Sequence, residues 1–166
     1  MAAPAITLRP ATPGDRFLIR RWLGEPAIAR WWGTVARAEA EITIALASPS
    51  ALCRIVLVDG VAAGYAQAVD ATLWGGDLPP DLPPGTYDVD LFIGAEALRG
   101  QGSGGVALGL LVAEVFTTTF AAACAVFPPV ANEAATRAFE KAGFRWQRVW
   151  ADPIAGPSWL MLKRRP

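Results

Sequence analysis

The chain has 166 residues, 53% hydrophobic and 18% charged, which fits one globular domain with a sizeable core and excludes a disordered polymer. Fifteen basic and fifteen acidic residues cancel, which argues against general binding of nucleic acid. With no histidine, Ser-His-Asp and Cys-His nucleophile systems and His-based metal sites are excluded, and with neither a signal-peptide pattern nor a membrane span in the sequence, a cytoplasmic location is expected.

Residues 6–9 read as a first strand. Thr12-Pro13-Gly14-Asp15 predicts a helix start, with Thr12 as N-cap, Pro13 in the first turn and Asp15 near the positive end. Phe17, Leu18, Trp22 and Leu23 form its apolar face, and Gly24 stops it. Residues 26–32 give a second short helix ending in Trp31-Trp32-Gly33, and residues 35–47 a third, with Ile42, Ile44 and Leu46 among alanines. A strand over 51–58 meets a return strand over 61–69 through Asp59-Gly60, a strong hairpin signal. Gly64 inside the return strand predicts a bulge or a close backbone approach. Residues 72–86, rich in Gly and Pro, read as a long surface loop of the kind that is usually functional.

Residues 88–93 form the next strand, and Leu98-Arg99-Gly100-Gln101-Gly102-Ser103-Gly104-Gly105 joins it to a helix. Glycines there admit positive φ and leave backbone N–H groups bare at a helix N-terminus, an arrangement suited to a phosphate. A strand over 121–127 follows, then a helix over 132–142 with Ala135, Ala138 and Phe139 inward and Gly143 at its end. Strands over 144–149 and 158–162 close the chain as a hairpin. Cys53 and Cys124 each sit in an apolar run and read as core residues, not as a zinc site or redox pair. The order predicts a mixed α/β sheet with helices on both faces. Between Arg54 and Arg99 lie only acids, Asp59, Asp70, Asp77, Asp81, Asp88, Asp90 and Glu96, a distribution that would draw in a cationic ligand.

Two motifs add a resemblance. Arg99-x-x-Gly102-x-Gly104 is similar to the pyrophosphate loop of the GNAT superfamily of acetyl-coenzyme A-dependent N-acetyltransferases. Asn132-x-x-Ala135-x-x-x-Phe139-Glu140-Lys141-Ala142-Gly143-Phe144 is similar to its helix-and-strand signature. Trp31-Trp32-Gly33 and Gly64-Tyr65-Ala66-Gln67 resemble more closely the aminoglycoside 6′-N-acetyltransferases of type I. The resemblance implies a mostly antiparallel central sheet flanked by helices on both faces, in a single domain over residues 1–166. It implies acetyl-coenzyme A as cosubstrate and no metal. Cofactor contacts would come from Phe92, Ile93, Arg99, Gly100, Gln101, Gly102, Ser103, Gly104, Gly105, Asn132, Phe139 and Lys141. A cationic small-molecule amine would meet Trp31, Trp32, Tyr65, Gln67, Asp77 and Asp90, with Asp90 as the base; neither nucleic acid nor a membrane is an expected partner, and the protein would be a monomer or homodimer.

Two positions depart from that pattern. Phe139 stands where the family usually has Tyr, and Phe127 where the aminoglycoside enzymes tend to have an acid before Pro128. The alternatives are a siderophore-type or other small-amine acyltransferase, and a GNAT domain that binds coenzyme A without catalysis.

Overall fold

The computed structural model describes residues 2–166. Its strands are β1 (Ile6–Pro10), β2 (Leu52–Val58), β3 (Val61–Asp70), β4 (Thr86–Ile93), β5 (Ala123–Val126), β6 (Arg145–Asp152) and β7 (Gly156–Arg164). They form one seven-stranded sheet in the order β1-β2-β3-β4-β5-β7-β6. Every adjacent pair is antiparallel except β4 with β5. That parallel pair is registered over only three positions, Thr86 with Ala123 through Asp88 with Ala125. Beyond Asp88 the two strands splay, and the rest of β4 has β3 as its only neighbour.

The helices are α1 (Arg16–Leu23), α2 (Pro26–Trp32), α3 (Val35–Ala47), α4 (Ser103–Thr118) and α5 (Glu133–Lys141). Strand alternation sends Val89, Leu91 and Ile93 of β4 toward α4, whose Ala107, Leu108, Leu111, Val112 and Val115 are buried there. The other face takes Tyr65 of β3 and Phe92 of β4 against Trp22, Leu23, Ile28 and Ile42 of α1 to α3. Asp88 and Asp90 share parity with Phe92 and therefore face the α1–α3 side. Layered burial on both faces bears out the mixed, mostly antiparallel sheet.

Several local expectations are corrected. Residues 13–15 form a 3-10 turn before α1, with the Thr12 N–H donating to the Asp15 carboxylate at 2.8 Å. The rotation this imposes leaves Phe17 exposed and turns Ile19 inward with Trp22 and Leu23. In α3 the buried stripe is Ala38, Ile42 and Ala45, whereas Ile44 faces solvent. In α5 the fully buried residue is Thr136; Phe139, half-buried, packs inward against the α4-side core as expected, and Ala135 and Ala138 are half-buried. The stretch read as a loop from residue 72 begins as 3-10 turns over Ala71–Asp77, started by the Asp70 carboxylate accepting from the Thr72 N–H at 3.0 Å.

Two glycines permit the close packing at the end of β4. A Cβ on Gly64 would lie 2.3 Å from the Phe92 carbonyl oxygen, and one on Gly94 would lie 2.2–2.4 Å from the Trp22 indole. The first is the close approach expected in β3, beside a register shift between β2 and β3.

Candidate active site

The glycine stretch forms a cradle at the α4 N-terminus. Gly100 and Gly102 have φ of 74° and 84°, a left-handed conformation that favours glycine. Gly102 is the N-cap, and the first bond back to it is Val106 N–H to Gly102 O at 3.2 Å. The N–H groups of Ser103, Gly104 and Gly105 therefore have no acceptor within the helix. A Cβ at Gly100, Gly102 or Gly105 would meet nothing within 4 Å, so the space before these donors is open. Open space, unpaired donors and a first turn without acid fit a phosphate group. A Cβ on Gly104 would instead meet Ile93 and Leu91 at 3.7 and 3.8 Å, so this glycine seats the helix on β4.

Arg99 is turned away from the cradle. Its Nε donates to Ile93 O and its Nη2 to Gly94 O, both at 2.9 Å, with the Glu25 carboxylate 3.8 Å away. Gln101 Nε2 likewise donates to Ala97 O at 2.6 Å, and Ser103 is buried. These side chains hold the loop, and what the loop offers a ligand is backbone.

The splay of β5 leaves β4 with a free lip. Gly94 N–H donates to Ala63 O at 2.7 Å, and antiparallel alternation then directs the N–H groups of Phe92 and Asp90 to β3. Those of Ile93 and Leu91 face the gap. The Leu91 N–H is accepted by Asp90 Oδ1 at 2.9 Å. Phe92 thus offers no N–H to the cleft; its ring is buried, edge-on to Trp22 at 6.1 Å and Trp32 at 5.1 Å.

Acids from four parts of the chain meet beside this lip. Burial and the Glu41 charge push Asp88 up to about 7, with the Trp74 indole opposing and Asp152 adding to the rise. Asp90 is open to solvent at the cleft, yet the protein around it and the adjacent Asp88 hold it well above the usual carboxylate range, against the opposing Leu91 N–H. Glu41 is also raised by burial, offset by Arg37 at 2.9 Å and increased by Asp152 and Asp77. No three of these carboxylates converge as a metal site among the described residues.

The other expected residues divide. Trp32 is half-buried and packs edge-on to Phe92 at 5.1 Å, Asp77 is exposed and its charge reaches Glu41, and Trp31 carries the Arg30 guanidinium 4.6 Å from its ring. Tyr65 is fully buried and cannot touch a substrate, and Gln67 lies beside it. Asn132 caps α5 by accepting from Ala135 N–H at 3.2 Å; Phe139 packs 6.1 Å from Phe144, and Lys141 is exposed. Glu41, Asp88, Asp152 and Trp74 were not among the expected site residues. Strand parity with Asp90 was the available signal for Asp88; the other three are brought in by tertiary packing alone.

The Asp88 shift has a direction that can be measured. Its folded-state value of about 7 exceeds the ordinary 3.8, so the native state holds the proton more tightly than the unfolded chain. The associated stability is full at low pH and lost as pH rises through this window. Asp88→Asn is therefore expected to raise Tm at pH 8 by ~2–4 °C, the equivalent of ~1 kcal/mol in a domain of this size, and to raise it little at pH 4. Equal Tm values for both proteins at pH 8 in a thermal melt would contradict the assignment.

An anion cradle, a strand lip with the Ile93 N–H free and an acid-lined cleft suit an acyl donor with a phosphorylated tail and a cationic acceptor. Residues 12–151 match the acetyltransferase (GNAT) domain family, and the chain belongs to that family. It is an N-acetyltransferase. Among individual proteins, it is similar to aminoglycoside N(6′)-acetyltransferase type 1 of Klebsiella pneumoniae, with 29% identity over 97% of this chain and 84% of the relative. The Serratia marcescens protein of the same name matches with 29% identity and the same coverage. The structure of AAC(6')-Ib in complex with ribostamycin and coenzyme A superposes with a TM-score of 0.86 at 28% identity, covering 97% of this chain and 94% of that one.

Proposed function

We propose that the chain transfers the acetyl group of acetyl-coenzyme A to a primary amine of an aminoglycoside, by direct attack within a ternary complex. The observation that carries the acceptor class is the cleft formed by Glu41, Asp77, Asp88, Asp90 and Asp152, whose charges act on one another. Similarity to the aminoglycoside enzymes supports it. Two free buried thiols and a coenzyme A-dependent reaction fit a cytoplasmic enzyme.

Bound acetyl-coenzyme A supplies an activated acetyl thioester. The N–H groups of Ser103, Gly104 and Gly105 hold the pyrophosphate. The Ile93 N–H, facing the gap, donates to a carbonyl oxygen and stabilises the charge that develops there. The cleft carboxylates hold the ammonium groups of the acceptor and fix its orientation. Asp90, ionised, takes the proton of the attacking amine directly or through water. Because its pKa is raised, activity rises as pH rises through that value. Phe139 offers no hydroxyl to the departing sulfur, and a thiolate can leave without one.

An acceptor panel assayed by thiol release tests the reading. Aminoglycosides and polyamines are expected to outperform neutral and anionic amines at least tenfold in kcat/KM. The advantage should shrink as the screening length falls from ~10 Å at 0.1 M salt to ~3 Å at 1 M. Equal turnover of neutral amines would remove the case for a polycationic acceptor.

A further inference from the structure

The sheet ends on β6, which pairs with β7 alone among the described residues and leaves its outer edge free. The opposite edge strand, β1, has five residues and ends in Pro10, whereas β6 runs for eight residues without a proline. Arg145 to Val149 are all exposed, with Trp146 at 51% and Val149 at 48%. Such an edge presents a row of free N–H and C=O groups, a template for adding a strand. Register with β7 sorts the side chains onto two faces. Trp146 and Val149 lie opposite Met161 and Trp159 on the α4 side, and the Trp146 ring stacks on Trp159 at 4.8 Å. Arg145 and Arg148 lie opposite Leu162 and Leu160, and with Trp150 and Asp152 they take the face that carries Asp88. The bulge at Gln147, between Trp146 and Arg148, is what puts Arg145 on that face.

We infer that this edge joins a second copy of the chain, β6 against β6, antiparallel about a two-fold axis at Val149, so that one sheet runs through both copies. Residues directly opposite in an antiparallel pair share a face. Centring on Val149 brings Arg148 opposite Trp150 of the other copy and Trp146 opposite its Ala151. Gln147, the extra residue of the bulge, is absorbed, and Arg145 comes opposite Asp152 on the face that carries Asp88. All eight residues are then used, and every guanidinium meets an indole or a carboxylate. A centre at Arg148 would instead set two guanidinium groups against each other. Arg148, bonded to the exposed Asp81, already lies 5.8 Å from its own Trp150 ring. Asp152 Oδ1 accepts from Ile154 and Ala155 N–H, both at 2.8 Å, and Oδ2 has no partner among the described residues. This charge pattern selects a second copy over an unrelated strand, because the two-fold axis makes each favourable contact twice. Pairing neutralises Asp152 at the margin of the cleft and leaves Glu41, Asp77, Asp88 and Asp90 for the acceptor.

Sedimentation equilibrium over a range of protein concentrations is the first measurement. One shared strand pair is a small interface, so the mass is expected to rise from one chain at ~3 µM toward two at ~0.3 mM. Val149→Lys sets two ammonium groups together at the axis, at an exposed position outside the core, and should weaken association at least ~tenfold. Arg145→Asp, which opposes Asp152 of the other copy, should do likewise; far-UV circular dichroism checks that both variants fold. Val149→Cys gives an independent reading, because only a residue on the axis meets itself. Opposite Cα atoms in an antiparallel pair lie ~4.5–5.5 Å apart, within reach of a disulfide. Mild oxidation at ~0.3 mM is expected to crosslink Val149→Cys efficiently and Ala151→Cys, which faces Trp146, poorly. Cys53 and Cys124 are buried and do not compete. A mass of one chain throughout, a dimer that both charge variants leave intact, or equal crosslinking from the two positions overturns the inference.

Discussion

Asp90→Asn is expected to lower kcat/KM for the amine by ~10²–10⁴-fold while leaving acetyl-coenzyme A affinity unchanged. The asparagine keeps the shape, and its Oδ1 can still accept from Leu91 N–H, the bond that Asp90 makes at 2.9 Å. It removes both the negative charge and the basicity. Thermal stability should hold or rise, because a carboxylate whose ionisation the fold opposes has gone. The residual rate should climb with pH as more of the acceptor arrives as free amine. Steady-state assays over pH 6–9 decide the matter: activity within about threefold of wild type throughout would mean that Asp90 takes no proton. Asp88→Asn is a poor control, since Asp88 contributes to the field at Asp90. Asp59→Asn is better. Asp59 lies in the β2–β3 turn at φ 49°, which asparagine tolerates.

The second large effect is on stability. Gly94→Ala would place a methyl group 2.2–2.4 Å from three ring atoms of Trp22, far inside contact distance. Trp22 is 5% exposed and packed edge-on to Phe92, so it cannot simply swing aside. Overpacking of this kind costs about 3 kcal/mol, which in a domain of this size lowers Tm by ~6–12 °C. The backbone shift would also disturb the Arg99 bond to Gly94 O and so loosen the glycine loop. Trp22→Leu in the Gly94→Ala background should recover part of the loss. A Gly94→Ala protein melting within about 2 °C of wild type would show that β4 and α1 are not locked together at this point.

Backbone chemistry made much of the fold legible in the sequence. Pro26 and Gly33 bracket α2, Asp59-Gly60 turns the β2–β3 hairpin, and Asn132 and Gly143 frame α5, as their local preferences require. Helix phase was less legible. Phe17 and Ile44 are apolar and exposed, and nothing within α1 or α3 distinguishes them from Ile19 and Ile42, which meet the sheet. In the candidate site, the glycine cradle and Asp90 could be read because each lies in one continuous stretch. Glu41, Asp152 and Trp74 could not, because α3, the β6–β7 hairpin and the 3-10 turns reach the cleft only through packing. For Tyr65 and Arg99 the resemblance implies ligand contacts. Their side chains point inward because a buried hydroxyl and two strand-end carbonyls needed partners.

The two bonds from Arg99 to the last carbonyls of β4 have a metrical consequence. They tie the glycine cradle to the strand end that carries the Ile93 N–H proposed above to meet the thioester. The span between them is then a fixed gauge set by the polypeptide. A donor gripped at its anionic end presents its acyl carbon at one depth along β4, determined by the length of its own arm. The enzyme would thus measure its cosubstrate as well as bind it, and a donor with a shortened arm would fill the cradle while its acetyl group stopped short of the amine.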